Sequence, residues 1–248
     1  MGWFIGTVLV VVAIVAAAYG GRIALKRALQ HPNFVIRKIY IPHTGVRTVS
    51  DDEIQKLAGI TPHMNIYATS LEPIARRLEH HPDIRSVEVA KRHPDTLVIA
   101  ITEREPVAII KGELGQPDIP IDRDGLMLSA RKMEHAEHLP RLCGLDHVDY
   151  MPGFRLADAR VSVAVRFADA ILHLQQQDFV SIKSFRFDRP GTIVMQTATI
   201  DEIRIGTDYS NEKVQRLVGT LDTLRAQRIN ARMIDLRFCH VAVIPFTL

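Results

Sequence analysis

The chain has 248 residues, with 47% hydrophobic and 24% charged side chains, a balance that lets a folded part bury a real core. A formal net charge of +3 is too mild to imply a nucleic-acid partner, and 6% aromatics supply no base-stacking platform. The two cysteines, Cys143 and Cys239, form no CxxC pair, so a zinc or redox motif is unsupported. They read as two small buried side chains, with a disulfide as the alternative if the domain lies outside the cytoplasm.

From Trp3 to Gly21 there is no charged residue, and Val, Ile, Ala and Leu dominate. A membrane-crossing helix needs about 20 such residues, and this run just suffices. Trp3 and Tyr19 sit near its ends, where aromatic rings prefer the interface. Ala16, Ala17 and Ala18 imitate a signal-peptidase site. However, no basic residue precedes the run, and it exceeds the usual ~7–15-residue signal core, so the reading is a retained anchor. Arg22, Lys26 and Arg27 follow the run, and the positive-inside rule alone would place the large domain in the cytoplasm. A longer frame with a basic tail ahead of Met1 would reverse that placement.

Residues 34–41 (FVIRKIYI) alternate like a strand. Ser50 and Glu53 have capping-box spacing ahead of Ile54 and Leu57, and Gly59 ends that short helix. Thr69 and Glu72 repeat the spacing before a second helix, with Pro73 in its first turn and Ile74 and Leu78 on its buried stripe. Two strands follow within HPDIRSVEVAKRHPDTLVIAITEREPVA (residues 81–108). Val87 and Val89 share a face of the first, and Leu97, Ile99 and Ile101 share a face of the second. Strand, helix, helix, strand, strand over some 70 residues makes a small α+β module.

Beyond Pro106 the texture becomes β-rich. Strands are expected at 106–111 and 118–122, with Asp122-Arg-Asp-Gly125 as a tight turn into Leu126-Met127-Leu128. Residues 157–177 read as a helix capped by Asp158. A meander over 181–206 precedes a second long helix over 210–228, with Val214, Leu217, Val218, Leu221 and Leu224 on one stripe. Two closing strands are expected at 231–238 and 240–247. The expected fold class is therefore α+β. It has a single N-terminal transmembrane helix with a basic stretch (1–27), a βααββ module (28–105) and a mixed β-rich domain with two longer helices (106–248).

Eleven histidines invite a metal reading. His80 and His81 are adjacent and do not converge on one ion, and His135 and His138 have no carboxylate or thiol partner at ligand spacing. Asp122 and Asp124 are explained by turn chemistry, since Leu126, Met127 and Leu128 do not continue a calcium loop. No GxSxG elbow and no glycine-rich phosphate loop occurs. The expectation is a protein without catalytic residues, metal, cofactor or small-molecule substrate. Glu103, Arg104 and Glu105 read either as a partner-facing charge cluster or as a solvated strand end, with Glu103, Arg104 and Pro106 forming a hinge between the two domains that the proline stiffens. In the last strand Val241 and Val243 face one way and Ala242, Ile244 and Phe246 the other. Pro245 favours an edge position, where a partner strand can add.

The pattern P-x-I-x-x-V-x-V-x-[KR]-x-x-P-x-T-L-x-I-x-I-x-E-R-x-P-V-A, the VSDDEI and IDRDG segments, and MIDLRF followed by VAVIPF together resemble the FtsQ/DivIB family of bacterial division proteins. The resemblance runs from the anchor to the last strand. It implies that residues 34–104 form a POTRA domain and that the rest forms the family's β domain. It also implies a bitopic protein of the inner membrane with its large part outside the cytoplasm. Such a protein recruits FtsB- and FtsL-type partners to the septum and helps to control septal peptidoglycan synthesis. By that resemblance FtsB would add a strand beside Val241, Val243 and Ile244, with Phe246 as the apolar anchor, and Arg104 would serve structure. Two other readings stand beside it. One is a POTRA-bearing chaperone or assembly factor for outer-membrane or secreted proteins, and the other is an exported enzyme with a fused POTRA module.

Overall fold

The computed structural model describes residues 14–17, 19–22, 34–61, 64–112, 115–145, 148–174, 181–189, 191–238 and 240–245. The expected anchor lies largely outside these residues, as do Cys239 and Phe246. Among the described residues no helix is long and apolar enough to cross a membrane. The chain divides into two compact units. The first comprises Met1–Thr44, Val49–Glu79 and Ser86–Thr102. The second comprises Gly45–Thr48, His80–Arg85 and Glu103–Leu248.

In the first unit the elements are β1 (Lys38–Tyr40), β2 (His43–Thr44), α1 (Asp51–Ala58), α2 (Glu72–Glu79), β3 (Ile84–Arg92) and β4 (Thr96–Glu103). β4 lies at the centre, pairing with β1 and β2 in parallel and with β3 as well. Its alternation is the one read from the sequence: Leu97, Ile99 and Ile101 are all buried. Ile54 and Ala58 of α1, and Ile74 and Leu78 of α2, each four residues apart, supply the buried helix faces. Truncating Ile54 to alanine would remove a fully buried side chain and cost about 2–5 kcal/mol.

The Ser50 side chain accepts a hydrogen bond from the Glu53 backbone N–H at 3.2 Å, and Gly59 closes α1 with φ 64°. Two expectations need correction. Thr69 does not cap α2. Its hydroxyl donates to the Asn65 carbonyl at 2.7 Å, and the helix begins only at Glu72. The strand expected over 34–41 is broken into an isolated bridge, Val35 to Asn65, and the short β1. Pro42 then separates β1 from β2. A proline has no N–H to give to a ladder, although its carbonyl accepts from the Ile101 N–H.

The second unit is an eight-stranded sheet with the order β12-β11-β10-β9-β8-β7-β5-β6. Its strands are β5 (Pro106–Ile110), β6 (Ile119–Asp122), β7 (Arg141–Cys143), β8 (Ile182–Arg189), β9 (Thr192–Thr197), β10 (Glu202–Arg204), β11 (Ala231–Asp235) and β12 (Ala242–Pro245). Two long helices accompany them, α3 (Ala159–Leu174) and α4 (Asn211–Ala226), along with a short 3₁₀ helix over Ala130–His135. Phe185, Ile193, Met195, Ile203 and Ile234 from the strands pack with Ala164, Phe167 and Leu217 from the helices in one core.

β8, β9 and β10 form the expected antiparallel meander. β11, however, runs parallel to β10, because α4 is a crossover rather than an appendage. The turn after β6 follows Asx chemistry. Asp122 Oδ1 accepts from the N–H groups of Asp124 and Leu126, both at 2.9 Å, and Gly125 takes φ 75°. Asp158 accepts from the Arg160 N–H at 2.7 Å at the start of α3, as its position predicted.

Candidate functional site

β12 is the terminal strand of the large sheet, and among the described residues it pairs with β11 alone. Its register sets Ile234 opposite Val243 and Asp235 opposite Ala242. Ile234 is fully buried in the core beneath the helices, so Val243 shares the helix-facing side of the sheet. Val241, Val243 and Pro245 together line a groove of about 580 Å³ whose other wall is α4. Ile244, 47% exposed, pairs with Met233 on the opposite side of the sheet. The two faces read from the alternation are therefore the two faces observed. Phe246 lies outside the described residues.

The groove exists because of what α4 presents to it. Ser210 caps the helix, accepting from the Lys213 N–H at 3.2 Å. Val214, Leu217 and Leu224 turn into the core. Gly219, Thr220 and Thr223 interrupt the apolar surface on the flank towards β12, leaving space where longer side chains would fill it. A Cβ built on Gly219 meets nothing within 4 Å. This wall was not anticipated from the sequence. Its signal is a Gly-Thr-x-x-Thr run inside an otherwise helix-favouring segment.

Above the strand the charges are organised. Arg237 pairs with Asp235 at 2.6 Å and lies 5.4 Å over the ring of Phe238, itself 63% exposed. The Arg237 side chain holds the Asp235 carboxyl below the usual range, against the upward push of burial. Arg216 donates to the Phe238 carbonyl at 2.8 Å, tying α4 to the segment leading into β12. The site is thus an open strand edge with an apolar groove on one face and an arginine-rich approach, chemistry suited to binding a polypeptide.

The junction residues behave differently from an exposed cluster. Glu103, the last residue of β4, is fully buried as a side chain and meets the equally buried Lys132 at 2.7 Å. Burial pushes the Glu103 carboxyl up, but the Lys132 ammonium and bonds from Thr48 hold it below its ordinary value. Arg104 donates to Asp122 at 2.6 Å and lies 3.6 Å from Asp124. Pro106 opens β5 opposite Asp122. Of the histidines, His80, His135 and His138 are exposed, and no group of metal-ligating residues occurs among the described ones. Cys143 is free.

The first unit, a four-stranded sheet carrying two short helices, defines a POTRA module, and residues 35–104 match the family model described as POTRA domain, FtsQ-type. The rest of the chain extends the likeness. Over 219 residues it is 27% identical to the cell division protein FtsQ of Myxococcus fulvus, spanning 88% of this chain and 75% of that one. Over 197 residues it is 26% identical to the cell division protein FtsQ of Syntrophotalea carbinolica, spanning 78% and 67%. The chain thus carries an FtsQ-type POTRA domain and is similar to FtsQ division proteins over most of its length, as the motifs in its sequence implied.

Proposed function

We propose that this chain is a scaffold of bacterial cell division that acts by binding rather than catalysis. In this reading residues 1–27 tether it to the inner membrane with the large part outside the cytoplasm. FtsB- and FtsL-type partners are captured at the septum, and that capture contributes to the control of septal peptidoglycan synthesis. The observation that carries the reading is the open edge of β12 beside its apolar groove, since a partner strand laid there finds backbone groups to pair with and a cavity for alternate side chains. The division role is supported by the names of both relatives, which also disfavours the assembly-factor alternative. Glu103, Arg104 and Pro106 serve in this reading as the structural link from the POTRA domain into the β domain.

The test is titration of the purified extracytoplasmic part with the FtsB-type partner of the same organism. Val243→Glu, which puts a charge into the groove, is expected to weaken binding at least about tenfold, or 1.4 kcal/mol. A partner peptide N-methylated at alternate strand positions is expected not to bind. Unchanged affinity in both experiments would refute strand addition at β12.

A further inference from the structure

Two cavities of the second unit share a wall. Besides the groove along β12, a cleft of about 390 Å³ opens where the β9–β10 turn faces the end of α4. Leu224 and Ile229 line both. Both volumes fall in the range of about 300–1,000 Å³ typical of sites that enclose a ligand.

The shared wall is built by the way α4 stops. The Arg228 N–H donates to the Arg225 carbonyl at 3.1 Å and the Ile229 N–H to the Leu224 carbonyl at 2.9 Å. This is the paired hydrogen-bond pattern of a Schellman ending, in which the residue after the left-handed position packs back on the helix. Arg228 takes the left-handed position with φ 54°. Ile229 is thereby fixed as a ridge, 41% exposed, between the two cavities. The opposite rim is equally fixed, since the Thr197 hydroxyl accepts from the Ile200 N–H at 3.0 Å and locks the turn.

The register of the sheet connects these features. Ala231 pairs with Pro245; Pro245 lines the groove and Ala231 lines the cleft. The end of β12 at Pro245 thus adjoins Ala231 in the lining of the cleft, one strand in from the outer edge. Ile200, Leu221 and Leu224 give the cleft an aliphatic floor, and Thr199, Asp222 and Asn230 give it hydrogen-bonding groups. That lining fits one bulky apolar side chain whose flanking main chain is held by polar groups.

We propose that the polypeptide adding a strand to β12 continues past Pro245, crosses the Leu224–Ile229 ridge and seats an apolar side chain in this second cleft. The inference rests on the strand-addition reading above and adds a second anchoring point to it. The experiment is calorimetric titration of the folded chain with two peptides of the strand-adding partner, one ending with the strand and one extended beyond the end that lies at Pro245. The extended peptide is expected to bind at least tenfold more tightly. Thr199→Trp, which fills the cleft, and Asp222→Arg, on an exposed helical position, are each expected to abolish that gain while the short peptide binds as before. Equal affinity of the two peptides, or a gain that survives both substitutions, overturns the proposal. So does a loss of thermal stability in unliganded Thr199→Trp and Asp222→Arg alike, which would mean the cleft is already filled by this chain. If the short peptide binds Val243→Glu as tightly as wild type and still binds when N-methylated at alternate strand positions, strand addition itself has failed, and the second anchor with it.

Discussion

Lys132 and Glu103 hold their charges against each other wholly out of water. Nζ lies 2.7 Å from Oε2, and each side chain is 0% exposed. The ammonium also donates to the Val46 carbonyl at 3.0 Å, and the carboxylate accepts from the Thr48 N–H at 3.0 Å and its hydroxyl at 2.7 Å. A buried pair so fully bonded is costly to break, because removing one partner leaves an uncompensated charge worth about 3–5 kcal/mol. Lys132→Met is therefore expected to lower the unfolding free energy by about 3 kcal/mol in urea titrations followed by circular dichroism. Lys38→Met, on an exposed strand position, should change it by less than about 0.5 kcal/mol. Equal stabilities for the two variants would contradict the account.

The same carboxylate gives stability a pH dependence. Burial raises the Glu103 pKa, the Lys132 and Thr48 contacts lower it more, and the folded value ends below the ordinary one. Asp158 and Asp235 are held low in the same sense by the side chains of Arg160 and Arg237. For such groups the unfolded chain binds protons first as pH falls. Their contribution is complete above the unfolded pKa of about 4 and is lost as pH drops through the folded values. Unfolding free energies measured from neutrality down to about pH 3 are expected to fall on the acid side. In Lys132→Met the Glu103 term loses its cation and keeps its desolvation, so the acid slope should become shallower. A steeper slope in that variant would be inconsistent with the pairing.

Arg228 occupies the left-handed region with φ 54°, where a side chain costs about 1–2 kcal/mol that glycine avoids. Arg228→Gly should therefore stabilise the protein, by about 0.5–1 kcal/mol once glycine's extra freedom in the unfolded chain is subtracted. Thermal melts check this, with a rise of about 1–4 °C expected for a chain of this size.

What the sequence revealed and what it hid divide along the distance over which each feature is decided. Ser50 with Glu53, Gly59, and Asp122 with Gly125 were legible because cap and turn chemistry is settled within four residues. The two faces of β12 followed from its alternation for the same local reason. Thr69 has the right spacing for a cap, but the Asn65 carbonyl takes its hydroxyl, a contest that spacing alone does not decide. Lys132 carries no local sign of its partner, since its short 3₁₀ helix has no periodicity and Glu103 is 29 residues away. The parallel pairing of β10 with β11 was hidden because it depends on which way α4 carries the chain. The groove was hidden as well, for it needs small residues of α4 to face a strand some 20 residues later.

Gly219 separates the stability of that groove from its use. It lies in the interior of α4, where glycine costs about 0.5–1 kcal/mol relative to alanine, and an added Cβ meets nothing within 4 Å. Gly219→Ala is thus expected to stabilise the isolated protein by roughly that amount. Gly219→Gln, also a good helix former, should stabilise it similarly, but its longer chain projects into the space between Thr223 and Val243. If the groove takes alternate side chains of a strand added to β12, the glutamine variant loses at least about tenfold in partner affinity, while the alanine variant stays within about threefold of wild type. Two variants of matched stability that differ in binding would locate the contact on the α4 side of the edge. Identical binding by both would remove the groove from the interface even if β12 itself is the docking strand.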